Sequence, residues 1–132
     1  MIVLRKLFSE KADNTLKSLW DLIPENRKYS KSGSVFNSYI DQDLNPSEVS
    51  TARKVCTSLE KYLKEYAERD AKEMKVNQNS YFNNARVDGL YLEKEGNEVC
   101  LGILVVQSSD PTEPEEIFVS LKSGEIVKID WV

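Results

Sequence analysis

From Val49 onward apolar residues recur at steps of three and four: Ala52, Val55, Cys56, Leu59, Tyr62, Leu63, Tyr66, Ala67, Ala71 and Met74. This spacing predicts one long amphipathic helix from Asn45 to Lys75, with a stripe wide enough to face a sheet. Its start is well marked. Asn45 can cap the first turn, Pro46 suits the first helical position, and Glu48 completes a capping box. The opposite face carries Glu60–Lys64, Glu65–Arg69 and Glu68–Lys72 at helical spacing. No glycine or proline follows Pro46 in the run, so the helix would be about 44 Å long. The stripe fades past Ala67, which favours a core helix over a coiled-coil seam. Val76-Asn77-Gln78-Asn79-Ser80 loses the period and reads as a turn.

Before this helix the pattern is weaker. Residues 1–10 fit either a strand or a helical turn. Asp13 or Asn14 can cap a short helix bearing Leu16, Leu19, Trp20 and Ile23, which Pro24 ends. Residues 24–34 are polar and basic and read as a loop, and Val35, Phe36, Tyr39 and Ile40 fit a helical turn or a short strand. After residue 80 the period changes to two. Arg86–Glu93 is a strand, Gly96-Asn97 a turn, and Glu98–Val106 a strand apolar on both faces, as a central strand would be. Gln107–Pro114 reads as a loop. Ile117–Leu121 and Ile126–Trp131 form a hairpin across Lys122-Ser123-Gly124-Glu125. The expected fold is α+β: a long amphipathic helix packed on a four-stranded antiparallel meander, with a short N-terminal helix. One domain is expected over 1–132, mainly helical over 1–80 and sheet over 81–132.

Composition sharpens this only in part. The 132 residues are 40% hydrophobic and 30% charged, a globular balance. No apolar run approaches the ~20 residues of a membrane span, and the first residues lack a signal-peptide core. A cytoplasmic protein is therefore expected, with Cys56 and Cys100 as two reduced, buried thiols. The net charge of −4 is uneven. Residues 1–85 carry 14 basic and 12 acidic side chains, and residues 86–132 carry 4 and 10. An acidic sheet half argues against nucleic acid as a partner and suits a basic protein.

Candidate chemistry is sparse. With no histidine, serine and cysteine triads are excluded within the chain, as are the usual zinc sites. None of the five glycines lies in a phosphate-binding motif. No cofactor and no metal are expected. The carboxylates Asp110, Glu113, Glu115 and Glu116 fall on the Pro-containing loop, where a solvated surface, a docking patch and a cation site are the alternatives. Tyr81 and Phe82 fall in another expected loop, as core plugs or exposed anchors. These six are the candidate partner-binding residues; none is a candidate catalytic residue.

The stretch Glu116-Ile-Phe-Val-Ser-Leu-Lys-Ser-Gly-Glu-Ile-Val-Lys-Ile-Asp-Trp131 resembles the strand–turn–strand of SMI1/KNR4-like proteins, and Leu22-Ile-Pro-Glu25 echoes that family's early Leu-Pro-Glu. The long uninterrupted helix and the missing Gly-Gly segment depart from the family's pattern. A helix followed by a meander is also similar in order to NTF2-like and cystatin-like folds. These resemblances imply a bacterial immunity protein that binds and blocks a toxin domain, and they carry over no functional residue. The expectation is thus a non-catalytic binding protein that neutralises a cognate toxin, such as a basic nuclease. The alternatives are a self-associating structural or regulatory module and an NTF2-like small-molecule-binding domain.

Overall fold

The computed structural model describes residues 14–131; the readings of residues 1–10 and of Asp13 as a cap fall outside them. The first helix, α1, covers 14–20 and buries Leu16, Leu19 and Trp20, with Ile23 just beyond. Hydrogen bonds from Leu22 N–H to Leu19 O and from Ile23 N–H to Trp20 O, both 3.0 Å, tighten its exit ahead of Pro24. A 3₁₀ turn at Glu25–Arg27 leads to strand β1, Val35–Ser38. Helices α2 (Pro46–Thr57), α3 (Leu59–Met74) and α4 (Gln78–Asn84) follow. Four strands then close the chain: β2 (Ala85–Glu95), β3 (Glu98–Gln107), β4 (Asp110–Ser120) and β5 (Ile126–Trp131).

The fold is α+β, as the pattern of elements implies, but the sheet has five strands in the order β1-β2-β3-β4-β5 and is mixed. Strands β2 to β5 form the expected antiparallel meander, and β1 adds to β2 in parallel. This pairing closes over a long sequence separation, which local periodicity does not report. Gly89 makes it possible: a Cβ there would lie 2.3 Å from Val35 O. β3 is central and buried on both faces, as its two-sided apolar run predicts. Leu101, Ile103 and Val105 join Leu90, Leu92, Ile117 and Val119 in the core shared with α1, α2 and α3.

The long helix is not continuous. It starts as predicted, with the Asn45–Glu48 capping box formed, but breaks at Ser58, where φ is −110° and ψ 29°. Ser58 N–H divides its bond between Lys54 O (2.9 Å) and Val55 O (3.2 Å). The Thr57 hydroxyl donates back to Arg53 O at 3.0 Å and Lys54 O at 3.2 Å. Such back-bonding competes with the helical ladder and bends it. The bend lets Val55 and Cys56 on one segment and Leu59, Leu63 and Tyr66 on the other all bury.

Two expected loops are also structured. Beyond Lys75, in the left-handed conformation, Asn77 caps α4 by accepting from Ser80 N–H at 3.0 Å. Tyr81 and Phe82 therefore sit on a short helix, not in a loop. Likewise β3 reaches Gln107 and β4 begins at Asp110, so the acidic stretch belongs to the sheet. Register runs Val105↔Glu115 and then Gln107↔Asp110, so residues 111–114 bow outward opposite Val106. The bow accommodates Pro111 and Pro114, which cannot donate to a ladder.

The basic 24–34 segment holds a buried charge. Arg27, 5% exposed, forks onto Glu60: Nε donates to Oε1 at 2.8 Å and Nη2 to Oε2 at 2.7 Å. Its Nη1 donates to Phe82 O at 2.8 Å and Ala85 O at 3.0 Å, and the guanidinium lies 4.5 Å from the centre of the Phe82 ring. One side chain thus ties the 3₁₀ turn to α3 and to the α4–β2 junction. The Arg27 hydrogen bond, opposed by partial burial, holds the Glu60 carboxyl below its ordinary range. Glu60 is half exposed, so most of the energy lost without Arg27 comes from its inner bonds to the Phe82 and Ala85 carbonyls and its packing on the Phe82 ring. Arg27→Ala is expected to lower the unfolding free energy by about 2–3 kcal/mol and Glu60→Gln by under about 1 kcal/mol in urea titrations. Equal losses would show that the ion pair, not the carbonyl bonds, dominates.

Candidate functional site

At one end of the sheet, the C-terminal turn of α3, helix α4, the β3–β4 hairpin and the end of β5 enclose a cleft of about 280 Å³. The hairpin is held to α4: Ser108 N–H donates to Asn84 O at 2.8 Å, and the Ser108 hydroxyl to Asn84 Oδ1 at 3.0 Å. Register sets Glu115 between Val105 and Trp131, on the face that packs against the helices. Glu115 is consequently 3% exposed. The hydroxyl of Tyr66 on α3 donates to its Oε1 at 3.0 Å, and the hydroxyl of Tyr81 on α4 donates to the same oxygen. The two rings stack with centroids 5.2 Å apart and planes 24° apart. Gln107 Nε2 donates to Tyr81 O at 3.0 Å and to Tyr66 Oη at 3.4 Å. Burial raises both phenol pKa values above their ordinary range, so both remain donors at neutral pH.

The wall is a mixture of acids and apolar groups. Asp110, Glu113 and Glu115 line the cleft with Tyr81, Met74, Val76 and Trp131, and no lysine or arginine among the described residues lines it. Met74, Val76 and Trp131 are all well exposed, Trp131 by 50%. Thr112 donates through its hydroxyl to Asp110 Oδ1 at 2.6 Å, which steadies the start of the outward bow.

The sequence candidates therefore separate. Asp110, Glu113, Glu115 and Tyr81 come together, but Glu115 is internal and not a loop carboxylate. Glu116 alternates onto the opposite face of the sheet, where burial raises its carboxyl pKa against a lowering hydrogen bond from Tyr91. Phe82 turns away from the cleft and lies beneath Arg27. Sequence reasoning missed Trp131, Met74, Val76 and Gln107 as part of a site. It also missed Asp70, a charge inside the apolar stripe, one turn from Tyr66 and one from Met74; that spacing was the available signal.

Asp70 is 8% exposed and its Oδ2 accepts no hydrogen bond. Its charge adds to burial in raising the Tyr66 and Tyr81 phenols. Among the described residues no three His, Cys, Asp or Glu side chains are grouped to hold a metal ion. Cys56 and Cys100 are free and buried, and burial pushes their thiols up to about 12 and about 11. No helix among the described residues is long and apolar enough to cross a membrane. Comparison of the chain with family models, curated proteins and solved structures gives no match.

Burial, with the Glu73 charge adding to it, pushes the Asp70 carboxyl up to about 6. The folded value lies above the unfolded value of about 3.9, so ionised Asp70 opposes folding. That opposition is absent below about pH 4 and fully developed above about pH 6. Asp70→Asn is thus expected to stabilise the protein by about 1–2 kcal/mol near pH 7.5 and to have little effect near pH 4, read as melting temperature. An identical effect at both pH values would contradict this assignment.

Proposed function

We propose that the protein is a non-catalytic binding protein of the cytoplasm that docks a basic protein partner on the cleft end of its sheet. In its most concrete form it is an immunity protein that neutralises a toxin domain, a basic nuclease being the best match in charge. The observation that carries this reading is a convergence. Three of the large exposed hydrophobic side chains, Met74, Val76 and Trp131, meet at the cleft that Asp110 and Glu113 line. Apolar anchors ringed by charge are what a protein interface needs. The anchors supply affinity, and the charges supply encounter rate and partner choice. The −6 balance of residues 86–132 adds a long-range field of the matching sign.

Self-association through β5 is the second reading, favoured by the exposure of Val127 and Trp131 on that strand. Three features weaken it. The β4–β5 register shifts next to Val119, Lys128 is paired with Glu95 and Asp130, and Asp130 Oδ1 occupies the Trp131 N–H. Bulges and charges of this kind blunt a sheet edge.

Affinity capture from the native host, followed by binding assays on the captured partner, tests the main reading. Glu113→Lys at the cleft is expected to weaken binding at least tenfold, a loss of about 1.4 kcal/mol. Glu125→Lys, at the exposed β4–β5 turn, makes the same change in net charge and is expected to leave binding within about twofold. Equal weakening by both would reduce the interaction to general charge attraction, and no stoichiometric partner would defeat the reading.

A further inference from the structure

The same protein already shows how it seats a guanidinium. Around Arg27 the requirements are a carboxylate fork, carbonyl acceptors and an aromatic face at 4.5 Å. The cleft offers two of these parts, carboxylates and an aromatic ring, with no lysine or arginine lining it among the described residues. Glu115 and Trp131 are opposite one another in the β4–β5 register, which brings their side chains within about 5 Å at Cβ. Glu113 lies beside both and Met74 completes the wall; a shallower depression also joins Met74, Glu113 and Trp131. Asp70, one turn along α3 from both Tyr66 and Met74, is nine-tenths buried with an oxygen that accepts nothing. The site is rich in acceptors and its phenol donors are already spent on Glu115.

We infer that the cleft takes an arginine side chain of the protein partner, its guanidinium stacked on Trp131 and forked toward Glu113 and Glu115. This rests on the docking reading above and names what that surface recognises. A guanidinium is favoured over an ammonium because it is planar, less strongly hydrated, and able to stack and hydrogen-bond at once. The volume, about 280 Å³, lies just under the ~300–1,000 Å³ of sites for whole small molecules and suits one inserted side chain.

The test uses the full chain and three small probes: N-acetyl-arginine amide, N-acetyl-lysine amide and N-acetyl-citrulline amide, the last a neutral isostere of arginine. Binding is followed by amide and indole shifts in ¹H–¹⁵N spectra. Arginine amide is expected to saturate shifts at Met74–Tyr81, Gln107–Glu115 and the Trp131 indole, and to bind at least about threefold more tightly than the lysine analogue. Citrulline amide should give no saturable shift. Trp131→Ala and Glu113→Gln, both at exposed positions, should each weaken the arginine probe several-fold while the rest of the spectrum is unchanged. Equal response to citrulline, or arginine shifts spread over the acidic surface and indifferent to both variants, would overturn the inference. The docking reading is judged apart. A captured partner that is lost with Glu113→Lys but bound normally by Trp131→Ala would sink the arginine inference alone. A partner indifferent to Glu113→Lys would sink both.

Discussion

A carboxylate removed from water must be met by donors, and Glu115 is met by two phenols from two different helices. The rest of the cleft end depends on this. Tyr66 fixes the rotation of α3 over β4, and Tyr81 fixes α4 against the same strand. Gln107 from β3 then closes the set by bonding to the Tyr81 carbonyl. Two helices are thereby held to one oxygen atom of β4, and the cleft lies beside it. The arrangement costs desolvation, and it compensates by specifying position. A purely apolar junction would slide more easily.

The second buried charge works from the other side of α4. Arg27 takes the Phe82 and Ala85 carbonyls and covers the Phe82 ring, while the neighbouring residue Tyr81 reaches Glu115. Consecutive residues on a helix point about 100° apart, so a seven-residue helix with one buried side chain can still be pinned between two polar sites. Asp70 is the exception to this polar satisfaction. Its unpartnered oxygen, one turn along α3 from Tyr66, is a local conflict, and such conflicts concentrate at functional or strained sites.

Much of the frame was legible in the sequence because it follows from local rules. The Asn45–Pro46–Glu48 start, the two-faced run of β3 and the Ile117–Trp131 hairpin needed only capping, period two and turn chemistry. What failed was decided by distant partners or by single side chains. Val35–Ser38 fitted a helical turn or a short strand, and its parallel pairing to β2, which Gly89 leaves room for, is reported by nothing near Val35. The break at Ser58 is set by hydroxyl back-bonding with no glycine or proline to announce it. α4 is polar almost throughout and hangs on an Asn77 cap. The acidic segment is the most instructive failure. Once Ile117 and Val119 are placed inward, alternation places Glu115 inward too, and Glu116 outward with Phe118. Two prolines nearby argued for a loop, and the pairing of β4 to β3 outweighed them. The exposed apolar rim was not legible, since Met74 read as part of the apolar stripe and Trp131 as the end of a hairpin strand, and only the fold sets the two side by side.

The most direct test of this architecture is a double-mutant cycle on Tyr81 and Glu115. Unfolding free energies would be measured for the wild type, Tyr81→Phe, Glu115→Gln and the double variant. If the phenol–carboxylate bond joins helix to sheet, the two losses overlap, with a coupling energy of about 1–3 kcal/mol. Losses that add to within about 0.5 kcal/mol would mean the two side chains do not act on each other. Glu115 would then not be the junction on which the cleft is built.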